Sequence, residues 1–285
     1  MNLLVFMTDQ ERAIQHFPPG WAEQNLPGEQ RLKKHGISFE RAFCSACMCS
    51  PSRATFLTGY FPAQHGVKYT LETYLNDPQQ WPQVDLPLDL PNLATVMASA
   101  GYSTPYRGKW HVSKPPAPAG VSDTKDLWTP EDVDKYGFQG WGPPDAGQSL
   151  EPGEFGGGTA NNDGRFMEST VSDSQPGDPS SDTATVHGQQ GAIAYLTSPE
   201  AKAKPFSLFL SLVNPHDVLA YPKEAADPAN GYSDASWTAG NLGLPATVDE
   251  DLATKPKVQE EFRVMMPERP GALPTPEDKR NYRNF

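Results

Sequence analysis

Two short apolar runs carry the pattern of this chain. Asn2-Leu3-Leu4-Val5-Phe6-Met7 is uninterrupted and closes at Thr8-Asp9-Gln10, and Phe206 to Val213 closes at Asn214-Pro215-His216-Asp217. Short continuous runs of this kind fit parallel strands covered on both faces. Ligands gather at the carboxyl ends of such strands in open α/β sheets, which puts Asp9, Gln10 and His216 where chemistry is expected. Between the runs, Glu29 to His35 reads as a short helix stopped by Gly36, and Ile37 to Phe43 as a further strand. Leu93, Val96, Met97 and Ala100 recur at i, i+3, i+4 and i+7, with Pro91 before them and Gly101 after, as in an amphipathic helix. Tyr102 to Tyr106 is expected to be a strand delivering Lys109 and His111. Asp182 to Thr197 and Pro276 to Phe285 read as helical. Strands alternating with helices predict an α/β fold, a mainly parallel sheet with helices on both faces.

The rest of the chain is punctuated rather than periodic. Residues 115–181 are rich in Pro, Gly, Asp and Ser and predict an insertion over one sheet edge; residues 221–276 read as a Pro-rich connection. The 285 residues include 30 Pro and 24 Gly, clustered in these stretches. Charge narrows the partners: 23 basic against 35 acidic side chains leave a formal net charge of −12, which disfavours nucleic acid. No apolar run approaches the roughly 18 residues that span a bilayer, so no membrane partner is expected. The chain enters its first strand without a basic leader, and the expected location is cytoplasmic.

The candidate chemistry centres on Cys49-Ser50-Pro51-Ser52-Arg53-Ala54-Thr55-Phe56-Leu57-Thr58-Gly59. Pro51 suits a first helical position with Ser50 as its cap, placing Cys49 just before a helix N-terminus, where peptide N–H groups favour anions. Arg53 follows within the first turn and can aim a planar, permanently charged fork at the same anion. Cys44, Cys47 and Cys49 lie too close together to be a disulfide framework. They also lack the second ligand pair a zinc site needs, so Cys44 and Cys47 read as structural. Lys109 and His111, two apart, would share one face of an extended segment. His16, His35 and His187 sit in polar or helix-end contexts, and His65 is read as an anchor for the turn after the cysteine segment.

The pattern C-x-P-S-R followed by L-T-G resembles the signature of the sulfatases. The likeness continues through Thr58-Gly59-Tyr60-Phe61-Pro62-Ala63-Gln64-His65-Gly66-Val67 and through Gly101-Tyr102-Ser103-Thr104 into Gly108-Lys109-Trp110-His111. The resemblance implies an alkaline-phosphatase-like α/β sandwich that hydrolyses small sulfate esters. It implies conversion of Cys49 to formylglycine by a formylglycine-generating enzyme. The hydrated aldehyde then attacks sulfur through one hydroxyl and expels sulfate through the other. By the same resemblance Asp9, Gln10 and the converted Cys49 would ligate a divalent cation, calcium first, with magnesium and manganese as alternatives. Arg53 and Lys109 would bind near the sulfuryl group, His111 would contact the formylglycine hydroxyl, and His216 would stabilise or protonate the leaving group. Gln10 stands where many sulfatases have a second Asp, and related phosphonate monoester hydrolases share Asp-Gln there, which makes phosphonate monoesters or phosphodiesters the alternative substrates. No Asp-His-Gly or Asp-Asn-Gly segment follows His216. The chain is therefore expected to be the N-terminal portion of a sulfatase catalytic domain, incomplete at its C-terminus, with a binding-only, inactive fragment as a further alternative.

Overall fold

A computed structural model describes residues 1–11, 13, 17–73, 82–124, 127–142, 145, 185–186, 189–216 and 250–265. The chain divides into two compact units. The first takes Met1–Glu11, Phe43–Gly157 and Phe166–Asp217; the second takes Arg12–Ala42, Gly158–Arg165 and Val218–Phe285.

In the first unit, β1 (Leu3–Asp9), β2 (Tyr106–Gly108) and β5 (Ser207–Pro215) form a parallel sheet in the order β1-β5-β2. Leu3 pairs with Ser207, and Gly108 with Ser211, so the last strand in sequence lies in the middle. Successive side chains of a strand leave opposite faces, and β5 uses both. Phe209 joins one core cluster with Ala54, Leu57, Ala94, Tyr106 and Trp110, while Leu208 and Leu210 join a second with Ala192, Tyr195 and Ala201. The first cluster draws on α3 (Cys49–Thr58) and α5 (Leu93–Ser99), the second on α7 (Ala192–Thr197) and α8 (Pro199–Ala203). Helices thus flank β5 on both sides. The unit also holds α4 (Pro62–His65), α6 (Glu131–Asp134) and a two-residue antiparallel pair, β3 (Thr185–Val186) with β4 (Gln189–Gln190).

The second unit contains α1 (Trp21–Asn25), α2 (Pro27–His35), a 3-10 turn (Leu252–Thr254) and α9 (Lys257–Met265). Pro27 stands at the start of α2, and Lys33, Lys34 and His35 complement the negative end of its dipole.

Several expectations are corrected. β1 is not covered on both faces: Leu3, Leu4 and Phe6 are 44%, 51% and 55% exposed, because an apolar run specifies a strand without supplying what covers it. Ile37 to Phe43 forms no strand; Ile37, Phe39 and Phe43 are exposed, and no neighbour among the described residues offers a ladder to their peptide groups. The strand read over Tyr102 to Tyr106 begins at Tyr106, with Ser103 and Pro105 making single bridges to Phe206 and Gln139. Of Asp182 to Thr197, only Ala192–Thr197 is helical, residues 182–184 and 187–188 lying outside the described residues.

The helix at Leu93 is present, yet its buried residue is Ala94 and Val96 is exposed. Its cap sets that face. Asn92 Oδ1 accepts from the N–H groups of Ala94 (2.8 Å) and Thr95 (3.1 Å), while Asn92 Nδ2 donates to Tyr136 O at 3.0 Å. The segment 127–142 is no peripheral insertion either. Trp128, Val133, Tyr136, Phe138 and Trp141 are buried in the first cluster, where Phe138 meets Tyr106 and Phe209 edge to face. Most of 143–181, most of 221–276 and the helix read at Pro276 to Phe285 lie outside the described residues.

Candidate active site

The parallel sheet brings three chain segments to one end. Asp9 closes β1, Lys109 follows β2 directly, and His216 follows β5. Gly108 makes the exit from β2 at φ 91°, a conformation a side chain at Cβ would strain. Arg53 enters from α3, whose first residue is Cys49 with Met48 as cap. The helix therefore begins two residues before the expected Pro51. Ser50, read as the cap, instead lies inside the helix and accepts from the N–H of Leu71 at 3.0 Å.

At the centre, Asp9 Oδ2 accepts from Lys109 Nζ at 2.7 Å and from Arg53 Nη2 at 2.9 Å. Cys49 Sγ lies 3.7 Å from Asp9 Oδ1 and 3.8 Å from Lys109 Nζ. Arg53 Nη1 donates to Lys109 O (2.8 Å) and Ser211 Oγ (2.6 Å), and Tyr106 OH donates to the same Lys109 carbonyl at 2.7 Å. Arg53 therefore directs three bonds to protein groups rather than holding its whole fork open for an anion. Burial works to raise the Asp9 pKa, but the charges of Arg53 and Lys109 outweigh it and hold the carboxyl at about 2, with a smaller contribution from His216. Asp9, Arg53 and Lys109 are all buried, so the net positive charge of this trio is weakly screened.

His111 departs from its expected geometry. The backbone is not extended there: His111 has φ 57°, in the left-handed region, so the shared-face argument with Lys109 does not apply. The ring is held separately, Nε2 donating to Leu71 O at 2.8 Å. That bond puts the proton on Nε2 and leaves Nδ1 the bare nitrogen, buried and without a hydrogen-bond partner among the described residues. Burial, then the nearby charges of Lys109 and Arg53, hold the imidazole pKa well below its usual range. His216 is buried and contributes to the field at Asp9. His65 is fully buried, accepting from Val67 N–H at Nδ1 (3.1 Å) and meeting Thr55 Oγ1 at Nε2 (3.1 Å), as the anchor role requires. Cys44 and Cys47 are exposed free thiols.

Sequence reasoning missed Ser211, Tyr106 and Asp145. The carboxylate of Asp145 accepts from two consecutive peptides, Trp110 N–H at Oδ1 and His111 N–H at Oδ2, both at 2.8 Å. Ser211 and Tyr106 could have been found by strand alternation, since both lie in strands entering the site. Asp145 has no such signal, lying in an aperiodic Pro/Gly stretch.

Among the described residues, the oxygen donors at this centre fall short of the set a hard divalent cation takes. Such ions take six or more oxygen ligands. Of the described carboxylates there, Asp9 has its Oδ2 engaged by two cationic donors and Asp145 has both oxygens on peptide N–H groups, while Gln10 is exposed at φ 60°. Among the described residues no group of three or more His, Cys, Asp or Glu could hold a metal ion. No helix among them is long and apolar enough to cross a membrane.

A parallel α/β sheet carries a buried carboxylate–cation cluster at its strand ends, beside a half-buried cysteine on a helix N-terminus. The sulfatase family model matches residues 2–282, and the chain belongs to the sulfatase family. An ulvan-active sulfatase of Formosa agariphila is 28% identical over 140 residues, 49% of this chain and 23% of the relative. Two solved structures share the fold. A 2-O GAG sulfatase has a TM-score of 0.52 at 19% identity, covering 99% of this chain and 49% of its own. The phosphonate monoester hydrolase of Agrobacterium radiobacter has 0.51 at 18%, covering 99% and 55%. The fold is thus the alkaline-phosphatase-like one, and the chain spans about half the length of these solved structures and matches under a quarter of the curated relative.

Proposed function

We propose that this chain carries the nucleophile and anion-binding portion of a sulfuric ester hydrolase acting on small sulfate esters. The observation that supports it most is the placement of Cys49 Sγ between Asp9 Oδ1 (3.7 Å) and Lys109 Nζ (3.8 Å). Formylglycine in place of Cys49 would supply, when hydrated, a hydroxyl nucleophile for sulfur. An oxygen at that place would meet a carboxylate able to accept its proton bond and an ammonium able to stabilise negative charge.

The chain's own residues divide the remaining work. Lys109 presents its ammonium to sulfuryl oxygens as charge develops, the largest kind of catalytic contribution in a site closed to water. Arg53 fixes both Lys109, through its carbonyl, and Asp9, through Oδ2. Bare Nδ1 of His111 is the candidate proton acceptor, its unprotonated form favoured by burial and by the charges of Lys109 and Arg53. His216 is the candidate donor to the departing alkoxide. The described donors fall short of a full ligand set for the divalent cation general to sulfatases.

The test is a substrate panel on protein made with a maturation enzyme: an aryl sulfate, an aryl phosphonate monoester and a phosphodiester. Preferential turnover of the sulfate is expected. Faster turnover of the phosphonate or phosphodiester would move the chain to the alternative substrates, and aryl sulfate binding without turnover of any of the three would make it a binding fragment.

A further inference from the structure

The turn Lys109-Trp110-His111 is pinned on two sides. On one, the N–H of Lys109 donates to Ser211 O at 2.9 Å, while its carbonyl accepts from Arg53 and Tyr106. On the other, Asp145 grips the next two peptides with one oxygen each. A non-glycine residue in the left-handed region is strained and persists where its surroundings over-determine it. His111 is such a residue, and the Asp145 bond falls on its own N–H. Trp110 between them is fully buried, with Nε1 donating to Ser113 Oγ at 2.8 Å, so this backbone has no water to replace a lost acceptor.

We infer that Asp145 is a positioning residue for the reaction, its bidentate grip on the Trp110 and His111 peptides holding Lys109 on Asp9 and aiming the bare nitrogen of His111. The His111 ring meets Leu71 O from a backbone held in the left-handed turn. With one acceptor removed, the turn relaxes toward ordinary φ, the Nε2 bond breaks, and the imidazole no longer has one assigned tautomer. A carboxylate is required. Asparagine keeps the shape but turns an NH₂ toward a peptide N–H, so one of the two grips becomes repulsive.

The inference rests on the sulfate ester reading only for its effect on turnover, and the experiment separates the two. The ¹⁵N-labelled chain and its Asp145→Asn and Asp145→Ala variants are compared at pH 7.5 by imidazole ¹H–¹⁵N correlation spectra, amide hydrogen exchange and kinetics, with thermal unfolding alongside. The wild type is expected to show His111 as the Nε2–H tautomer with slow exchange at Trp110 and His111. Both variants should speed exchange at those two amides by about tenfold or more while Phe209 and Leu210 stay protected, and His111 should show mixed tautomers. Turnover should fall about 10- to 100-fold, as for residues orienting a functional group, with KM changing far less. A lowered melting temperature with the tautomer and the two amides unchanged would overturn the inference, as would loss of folding in both variants, since either assigns Asp145 to stability alone. Wild-type protein that shows the expected spectra and turns over no sulfate ester would overturn the functional reading and leave Asp145 as the positioning residue of the turn.

Discussion

Arg53→Met should destabilise the first unit more than any exposed substitution, because it removes one partner from a buried network. The guanidinium bonds Asp9 Oδ2, Ser211 Oγ and Lys109 O at 2.9, 2.6 and 2.8 Å, and both side chains of the ion pair are under a tenth exposed. Breaking a buried pair from one side costs about 3–5 kcal/mol, since the partner left behind keeps its desolvation penalty, and Asp9 would retain Lys109 alone of its two cations. With a urea dependence near the upper end of about 1–3 kcal/mol per molar, the unfolding midpoint should drop by about 1–2 M. Near-ultraviolet circular dichroism is the appropriate readout, because Trp110, Trp128 and Trp141 are packed in the cluster against α3. Arg53→Lys separates charge from geometry. Its ammonium keeps the ion pair but cannot span three diverging acceptors, so about half the loss should remain. Ser211→Ala combined with Arg53→Met in a double-mutant cycle should return about 1.5–3 kcal/mol for the shortest bond. A midpoint for Arg53→Met within about 0.3 M of wild type, a small fraction of the drop that one-sided loss of a buried pair entails, would refute the claim that this network holds the site together.

Three further outcomes are expected. Peptide mass mapping of protein made with a maturation enzyme should find conversion at Cys49 and at neither Cys44 nor Cys47; a hydrazide tag on either exposed cysteine would count against the assignment. In a catalytically competent preparation, Lys109→Ala and His111→Ala should each lower turnover by about 10²- to 10³-fold with unchanged circular dichroism, and near-native activity in either would remove that residue from the site. Asp9 has a folded pKa of about 2 against an ordinary 3.8, so its stabilisation is fully present above pH 3.8 and is lost as pH falls toward 2. That contribution is about 2 kcal/mol, and Asp9→Asn should flatten the acid limb of a stability profile between pH 4 and 2; an unaltered limb would place the acid sensitivity elsewhere.

Strand ends were the most legible part of the site. Asp9, Lys109 and His216 follow apolar or strand-forming segments, and strands expected there put them at the carboxyl edge of a parallel sheet. Cys49 and Arg53 came from a motif, and their proximity to Asp9 needs the fold. What could not be read was whatever depends on one segment meeting another far along the chain. Ile37 to Phe43 has the residue types of a strand but no ladder partner among the described residues, and pattern cannot reveal a missing neighbour. The aromatic residues between Trp128 and Trp141 were hidden by the surrounding Pro and Gly, although their bulk makes them core. Asp145 and the Leu71 carbonyl act through peptide groups, for which no side-chain pattern exists. The Lys109–His111 turn misled because spacing by two implies a shared face only when the backbone is extended.

The middle position of β5 has a consequence for how the molecule is made. Among the described strands, β1 and β2 both pair with β5, so no ladder of this sheet can close before residue 207 has been synthesised. At about 5–20 residues per second, the partner of Leu3 emerges roughly 10–40 s after Leu3 itself. Throughout that interval the apolar side chains and hydrogen-bonding edge of β1 wait without β5, while β2 can meet only the Gln139 peptide, a situation in which chaperone capture competes with pairing between chains. The same delay applies to chemistry: Ser211, which orients Arg53, arrives 158 residues after it. The cysteine helix can therefore form early, whereas the charge network around Cys49 can assemble only once β5 is in place.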